Sequence, residues 1–186
     1  YAINAGGFSI VAKDFETAQQ KVNCRFYLDQ VTKTITTKTK SSKIRNKALA
    51  NLQRLFDEDA DKLFYVTKMI DVDSTQYVRS TPIDVLYEAM DLFINGLGSE
   101  KSKTKAATLF TAVANDTMEN LILRSVMKDA SYYQTITNDN KGWIIEVDTK
   151  IKLGKNNEEV LNYFKNPLNE EVTDRLRSQM EKYWNL

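Results

Sequence analysis

Histidine is absent from this chain, and cysteine occurs once, at Cys24, among 186 residues. Without imidazole, neither a Ser-His-Asp triad nor a Cys-His nucleophile pair can be assembled, and the usual zinc triads are excluded. A single thiol excludes an internal disulfide framework and fits a reducing compartment. No apolar run approaches the roughly 18 residues that a membrane helix needs, so no membrane partner is expected. Tyr1–Lys21 has neither a basic n-region nor a continuous apolar h-region, so no secretory leader is read there. A cytoplasmic location is expected. The start without Met fits a processed chain or an excised fragment. Surplus charge of one sign is missing too: 26 Lys and Arg against 25 Asp and Glu leave +1. Any electrostatic message must therefore lie in how charge is distributed along the chain.

Apolar residues make up 42% of the chain, enough for a real core in one medium domain or two small ones. Only two prolines stand beside abundant Lys, Asn, Asp, Thr and Tyr, a composition like that of AT-rich phage or viral genomes. Residues 1–30 read as mixed: "GGFSIVAKD" runs from a glycine pair into a short apolar stretch, and "NCRFYLDQV" suits a strand or a first helical turn. From residue 41 the period is helical. Ser41 or Ser42 is placed as a cap, with Ile44, Ala48, Leu52, Leu55 and Phe56 recurring every three or four residues. Residues 32–40 read as a flexible Thr/Lys approach to that helix. Asp57, Glu58, Asp59 and Asp61 open a second helix, whose stripe is Ala60, Leu63, Phe64 and Met69.

"STPIDVLYEAMDLFINGLG" is the clearest helix, with Thr81 as N-cap, Pro82 at the first helical position and Gly96 as the stop. A basic linker, "SEKSKTK", leads into "AATLFTAVAN", and the next helix opens on a capping box of Asp116 and Glu119. "GWIIEVDTKIKLG" alternates Ile145, Val147, Ile151 and Leu153 with Glu146, Asp148, Lys150 and Lys152, the pattern of a strand with one wet face. Two helices split by "NPLN" complete the chain. The expected fold is mainly α. Residues 1–142 form a compact multi-helix domain with a short mixed N-terminal segment. Residues 143–186 form a strand plus C-terminal helices packed on the same body. The small β element lies at about 143–153, with room for another near the N-terminus.

Few constellations here carry chemistry. "INGLGSEKSK" lacks the glycine spacing of a phosphate-wrapping loop and follows a helix, so a helix end plus a basic linker accounts for it. "DEDAD" and "DVDS" bring carboxylates together, but no bidentate Glu or turn glycine completes a calcium loop. A helix start and a turn explain both, and neither a metal nor another cofactor is expected. Tyr132, Tyr133 and Trp143 flank "QTITNDNKG", where they either stack on a base or seal the junction between helix and strand.

The cationic residues speak more clearly. Residues 30–56 carry Lys33, Lys38, Lys40, Lys43, Arg45, Lys47 and Arg54 without one acid. Lys101, Lys103 and Lys105 precede another helix, offset by Glu100. Helix-start N–H groups, serines and lysines suit phosphate oxygens, and such contacts position a duplex without reading its sequence. The plain alternative is that these lysines solvate exposed faces.

Three stretches carry a resemblance: "LDQVTKTITTKTKSSKIRNKALANL", "PIDVLYEAMDLFINGL" and "LFTAVANDTMENLILRSVMKDASYYQTITNDNKGW". Together they make residues 28–143 resemble the N-terminal helical DNA-binding domain of ATP-dependent DNA ligases, particularly phage-type ones. The resemblance implies a domain that helps encircle nicked duplex and touches phosphates across the minor groove. By position it implies phosphate contacts at Thr39, Lys40, Ser42, Lys43 and Lys47, and further candidates at Lys128, Thr135 and Thr137. No K-x-D-G adenylation motif occurs, and past Trp143 nothing resembles a nucleotidyltransferase. The expected role is a non-catalytic DNA-binding module or phage accessory protein on double-stranded or nicked DNA. The alternative is a phage or viral structural protein, docking or self-assembling through its aromatic- and Met-bearing C-terminal helix.

Overall fold

The computed structural model of this protein describes residues 11–12, 15–20, 24–27, 31–96 and 98–185. The chain divides into two units, residues 1–43 and 44–186. In the first, β1 (Val11–Ala12) pairs in parallel with β2 (Phe26–Tyr27), and α1 (Phe15–Gln20) lies between them in sequence. Phe15 meets Tyr27 edge-on at 5.4 Å. The β element sought near the N-terminus is therefore present, while Gly6 and Gly7, read as feeding it, lie outside the described residues.

The flexible approach and the serine cap are corrected. One helix, α2, runs from Val31 to Glu58. No glycine or proline interrupts that span. Its threonines cost only about 0.5 kcal/mol each against alanine, which helix propagation readily offsets. Ser41 and Ser42 thus sit inside the helix, half-buried, with helical backbone on both sides. Ala48, Leu52 and Leu55 anchor the second half of α2 in the core of the second unit.

In that unit α3 (Ala60–Ile70) follows at once, capped by Asp59, whose carboxylate accepts from the Lys62 N–H at 3.0 Å. Asp57 and Glu58 therefore close α2 rather than open α3. The buried stretch of α3 is wider than a stripe: every residue from Leu63 to Lys68 is buried, while Ala60 is exposed. Helix α4 (Ile83–Asn95) has Pro82 at its cap position. Thr81 instead closes the preceding turn, its hydroxyl accepting from the Val78 N–H at 3.0 Å. The basic linker is also corrected: α5 (Glu100–Ala114) starts inside it, capped by Ser99. Helix α6 (Met118–Tyr132) is capped by Thr117 rather than by Asp116. Asp116 accepts from the Asn120 side chain at 2.6 Å instead. Helices α7 (Asn157–Lys165) and α8 (Glu170–Trp184) flank a short 3-10 turn at Pro167–Asn169. Helix α6 packs on α3, α7 and α8, and this contact holds the core.

The 143–153 segment is two strands, not one. β3 (Ile136–Asn138), β4 (Ile144–Glu146) and β5 (Lys152–Gly154) form an antiparallel sheet in that order. The turn between β4 and β5 holds Lys150 in the left-handed region at φ 58°. Gly154 lets β5 touch the start of α7, since a Cβ there would fall 2.7 Å from the Glu159 Cβ and 2.8 Å from the Val160 nitrogen. The strict alternation put Glu146 on the wet face, yet it is buried. Its carboxylate accepts from Arg175 Nη2 at 2.6 Å and Nε at 3.0 Å, a two-pronged contact, and from the Thr149 hydroxyl.

Burial alone would push the Glu146 carboxyl up, but its hydrogen bonds from Arg175 and Thr149 and the guanidinium charge together hold it below the ordinary glutamate value. A depressed carboxyl contributes stability above its unfolded-state pKa and loses it as pH falls through the folded-state value. Glu146→Gln should therefore flatten the acid limb of the stability curve below about pH 4, while leaving its shape between about pH 6 and 8 unchanged. Urea midpoints measured across that range check this, and a mutant whose acid limb stays parallel to the wild type refutes it.

Candidate nucleic-acid interface

On α2 within the first unit, Lys38, Thr39, Lys40 and Lys43 are exposed. Lys40 and Lys43 share a face by helical spacing. Among the described residues none of these lysines has a carboxylate partner within 4.0 Å. On α2 within the second unit, Lys47 is likewise exposed and unpaired. Arg45 is different: its guanidinium meets Glu100 at 3.4 Å, tying α2 to the first turn of α5. Arg54 lies 4.0 Å from Glu58, one turn further along α2.

The mode of contact changes from the one the sequence implied. Because Ser42 and Lys43 are helix-interior, their N–H groups belong to the helical ladder and do not point at a ligand. What α2 offers is side chains alone: ammonium groups on flexible stems, with the Thr39 hydroxyl among them. Ser42 is half-buried.

Lys101 and Lys105 are exposed and Lys103 is half-buried, all in the first two turns of α5. The remaining candidates divide. Lys128 is turned inward: its ammonium donates to the carbonyls of Lys68 at 2.7 Å, Met69 at 3.4 Å and Asp71. Burial lowers its pKa against the pull of Asp129 and Asp71. It ties α6 to the end of α3 and is not available to a phosphate in this arrangement. Thr135 is half-buried and its N–H donates to the Ala130 carbonyl at 2.8 Å, while Thr137 is exposed on β3.

The aromatic residues also settle into place. Trp143 is half-buried under two ammonium groups, Lys155 at 4.9 Å and Lys152 at 5.1 Å from its ring centre. Tyr133 stacks on Tyr183 at 3.9 Å and 7°. On α8, Leu176, Met180 and Trp184 are buried in the chain's own core, so the face expected to dock on a partner is already covered.

Sequence reasoning missed the polar centre of the second unit. Lys68, with no exposed surface, lies 2.7 Å from Asp129 and donates to the carbonyls of Ser74 at 2.9 Å and Tyr77 at 3.2 Å. Asp129 also accepts from the Ser74 hydroxyl at 2.7 Å and from the Trp184 indole N–H at 2.5 Å. The only sequence signal was that Lys68 and Asp129 fall in the buried phase of their helices. The carboxylates "DVDS" are likewise structural, with Asp71 accepting from the Tyr77 hydroxyl at 2.5 Å and Asp73 from the Thr75 hydroxyl at 2.7 Å. No protein-family model, curated protein or solved structure matches the chain.

Proposed function

We propose that the protein is a non-catalytic DNA-binding module, a ligase-like domain or phage accessory protein, that grips the phosphate backbone of duplex DNA through α2. One observation carries the reading: Lys38, Lys40, Lys43 and Lys47 are exposed on a helix that has no acid between Val31 and Phe56. Here the four lysines have no carboxylate partner among the described residues, and a polyanion gains most from such a run. Lacking helix-start N–H groups and rigid bidentate donors, the contact is an electrostatic one that tracks phosphates rather than base edges.

The measurement follows from counterion release. If the four lysines each neutralise one phosphate, log K falls against log salt with a slope of about −3.6. Raising salt from about 50 to about 200 mM should then weaken binding to a fluorescent duplex about a hundredfold, with little difference between unrelated sequences. Binding that is absent at low salt, or undiminished at high salt, overturns the reading. Nicked and intact duplex compared in the same titration test the ligase-like form of it.

A further inference from the structure

A groove of about 550 Å³ opens on the second unit, lined by Tyr133, Gln134, Thr135, Val147, Asp148, Gln179, Lys182 and Tyr183. Its volume lies within the range of small-ligand sites. Four segments build it, the turn between β4 and β5 supplying Val147 and Asp148. The end of α6 supplies Tyr133. The residues leading into β3 supply Thr135, after Gln134 has turned the chain at φ 56°. The last turns of α8 supply Gln179 and Tyr183.

Tyr133 and Tyr183 stack face to face, and Tyr183, which lines the groove, remains 39% exposed. Tyr132 braces Tyr133 edge-on at 5.2 Å, which fixes the stack from behind. Gln179 Oε1 is buried and receives no hydrogen bond. Among the described residues neither tyrosine hydroxyl has a hydrogen-bond partner, and Asp148 and Lys182 form no ion pair. The Lys68–Asp129 cluster is satisfied, whereas Gln179 Oε1, like Asn51 Nδ2, Arg124 Nε and Ser125 Oγ elsewhere in the described residues, is not.

We infer that the groove takes an unpaired nucleobase of a single-stranded nucleic acid. The base would extend the tyrosine stack, its exocyclic amine or ring N–H would meet the Gln179 amide, and the adjoining phosphate would face the Lys182 ammonium. A flat π-surface accepts any base, whereas an amide that can present either its oxygen or its NH2 tolerates several base edges. The site is distinct from α2 and does not depend on duplex binding there.

Fluorescence anisotropy with a short labelled oligothymidine and the same backbone carrying abasic sugars separates base from phosphate. The intact protein should prefer the base-bearing strand about tenfold or more, as stacking of one base provides. Tyr183→Ala and Gln179→Leu should each bring the two affinities together, Tyr183→Phe should preserve the preference, and Tyr132→Ala should leave most of it. Thermal melts of each variant show whether it is folded. Charge reversal of Lys40 and Lys43 should leave the preference for the base-bearing strand unchanged. Equal binding of the two strands by the wild type, or a preference that survives in both folded Tyr183→Ala and Gln179→Leu, overturns the inference.

Discussion

Asp129→Ala should destabilise the second unit by about 3–5 kcal/mol, the loss typical when one member of a buried ion pair is removed. The reason lies in what remains. Lys68 would keep its ammonium in a site with no exposed surface, facing Phe64 and Trp184 rings at 5.5 and 5.3 Å and two backbone carbonyls, with no counter-charge. The Trp184 indole N–H and the Ser74 hydroxyl would lose their acceptor at the same time. Each unsatisfied buried donor adds about 1–3 kcal/mol of desolvation cost. A melting point lower by about 10 °C is the expected reading for a unit of this size. Combining Asp129→Ala with Lys68→Met should be less damaging than the sum of the two single changes, because the uncompensated charge disappears. Some loss should persist, since the Tyr77 carbonyl, the Ser74 hydroxyl and the Trp184 indole N–H lose their partners. A single-variant loss below about 1 kcal/mol, or strictly additive losses, would show that the cluster is not the anchor described.

The same cluster shows where sequence reasoning reaches its limit. The helix read over "STPIDVLYEAMDLFINGLG" is α4, and Leu86, Met90 and Ile94 recur along its buried side, because such contacts repeat along one element. Helix periodicity also placed α7 and α8 on either side of "NPLN". Lys68 and Asp129 stand 61 residues apart, and nothing local marks two charges that find each other across the packing of α3 on α6. Glu146 is a sharper case: an alternating pattern reports which residues share a face but not which face is covered. Arg175, 29 residues on, decides that. The α2 misreading has a different origin. Threonine-rich sequence looks irregular by propensity, yet no glycine or proline breaks the helix between Val31 and Glu58, and Ala48, Leu52 and Leu55 pack its second half into the core. The candidate lysines were legible from charge alone. How they are presented was not, since that depends on where the helix begins.

Replacing Lys40, Lys43 and Lys47 together with glutamate is expected to abolish duplex binding while leaving the second unit's melting point within about 2 °C of the wild type. All three side chains are exposed, and none has an ion-pair partner among the described residues to lose. Exposed substitutions of this kind usually change stability by less than about 0.5 kcal/mol. Removing three phosphate contacts at about 50 mM salt should cost about tenfold each, so affinity falls about a thousandfold before any repulsion from the new carboxylates is counted. The salt slope of whatever binding remains should shrink by about three contacts' worth. Arg45→Ala is the internal comparison. Its guanidinium already meets Glu100, so its loss should alter duplex affinity far less than Lys43→Ala. A triple variant that binds duplex within tenfold of the wild type would move the function away from α2. One that instead loses self-association on gel filtration, with binding intact, would assign the cationic helix to contacts between protein chains.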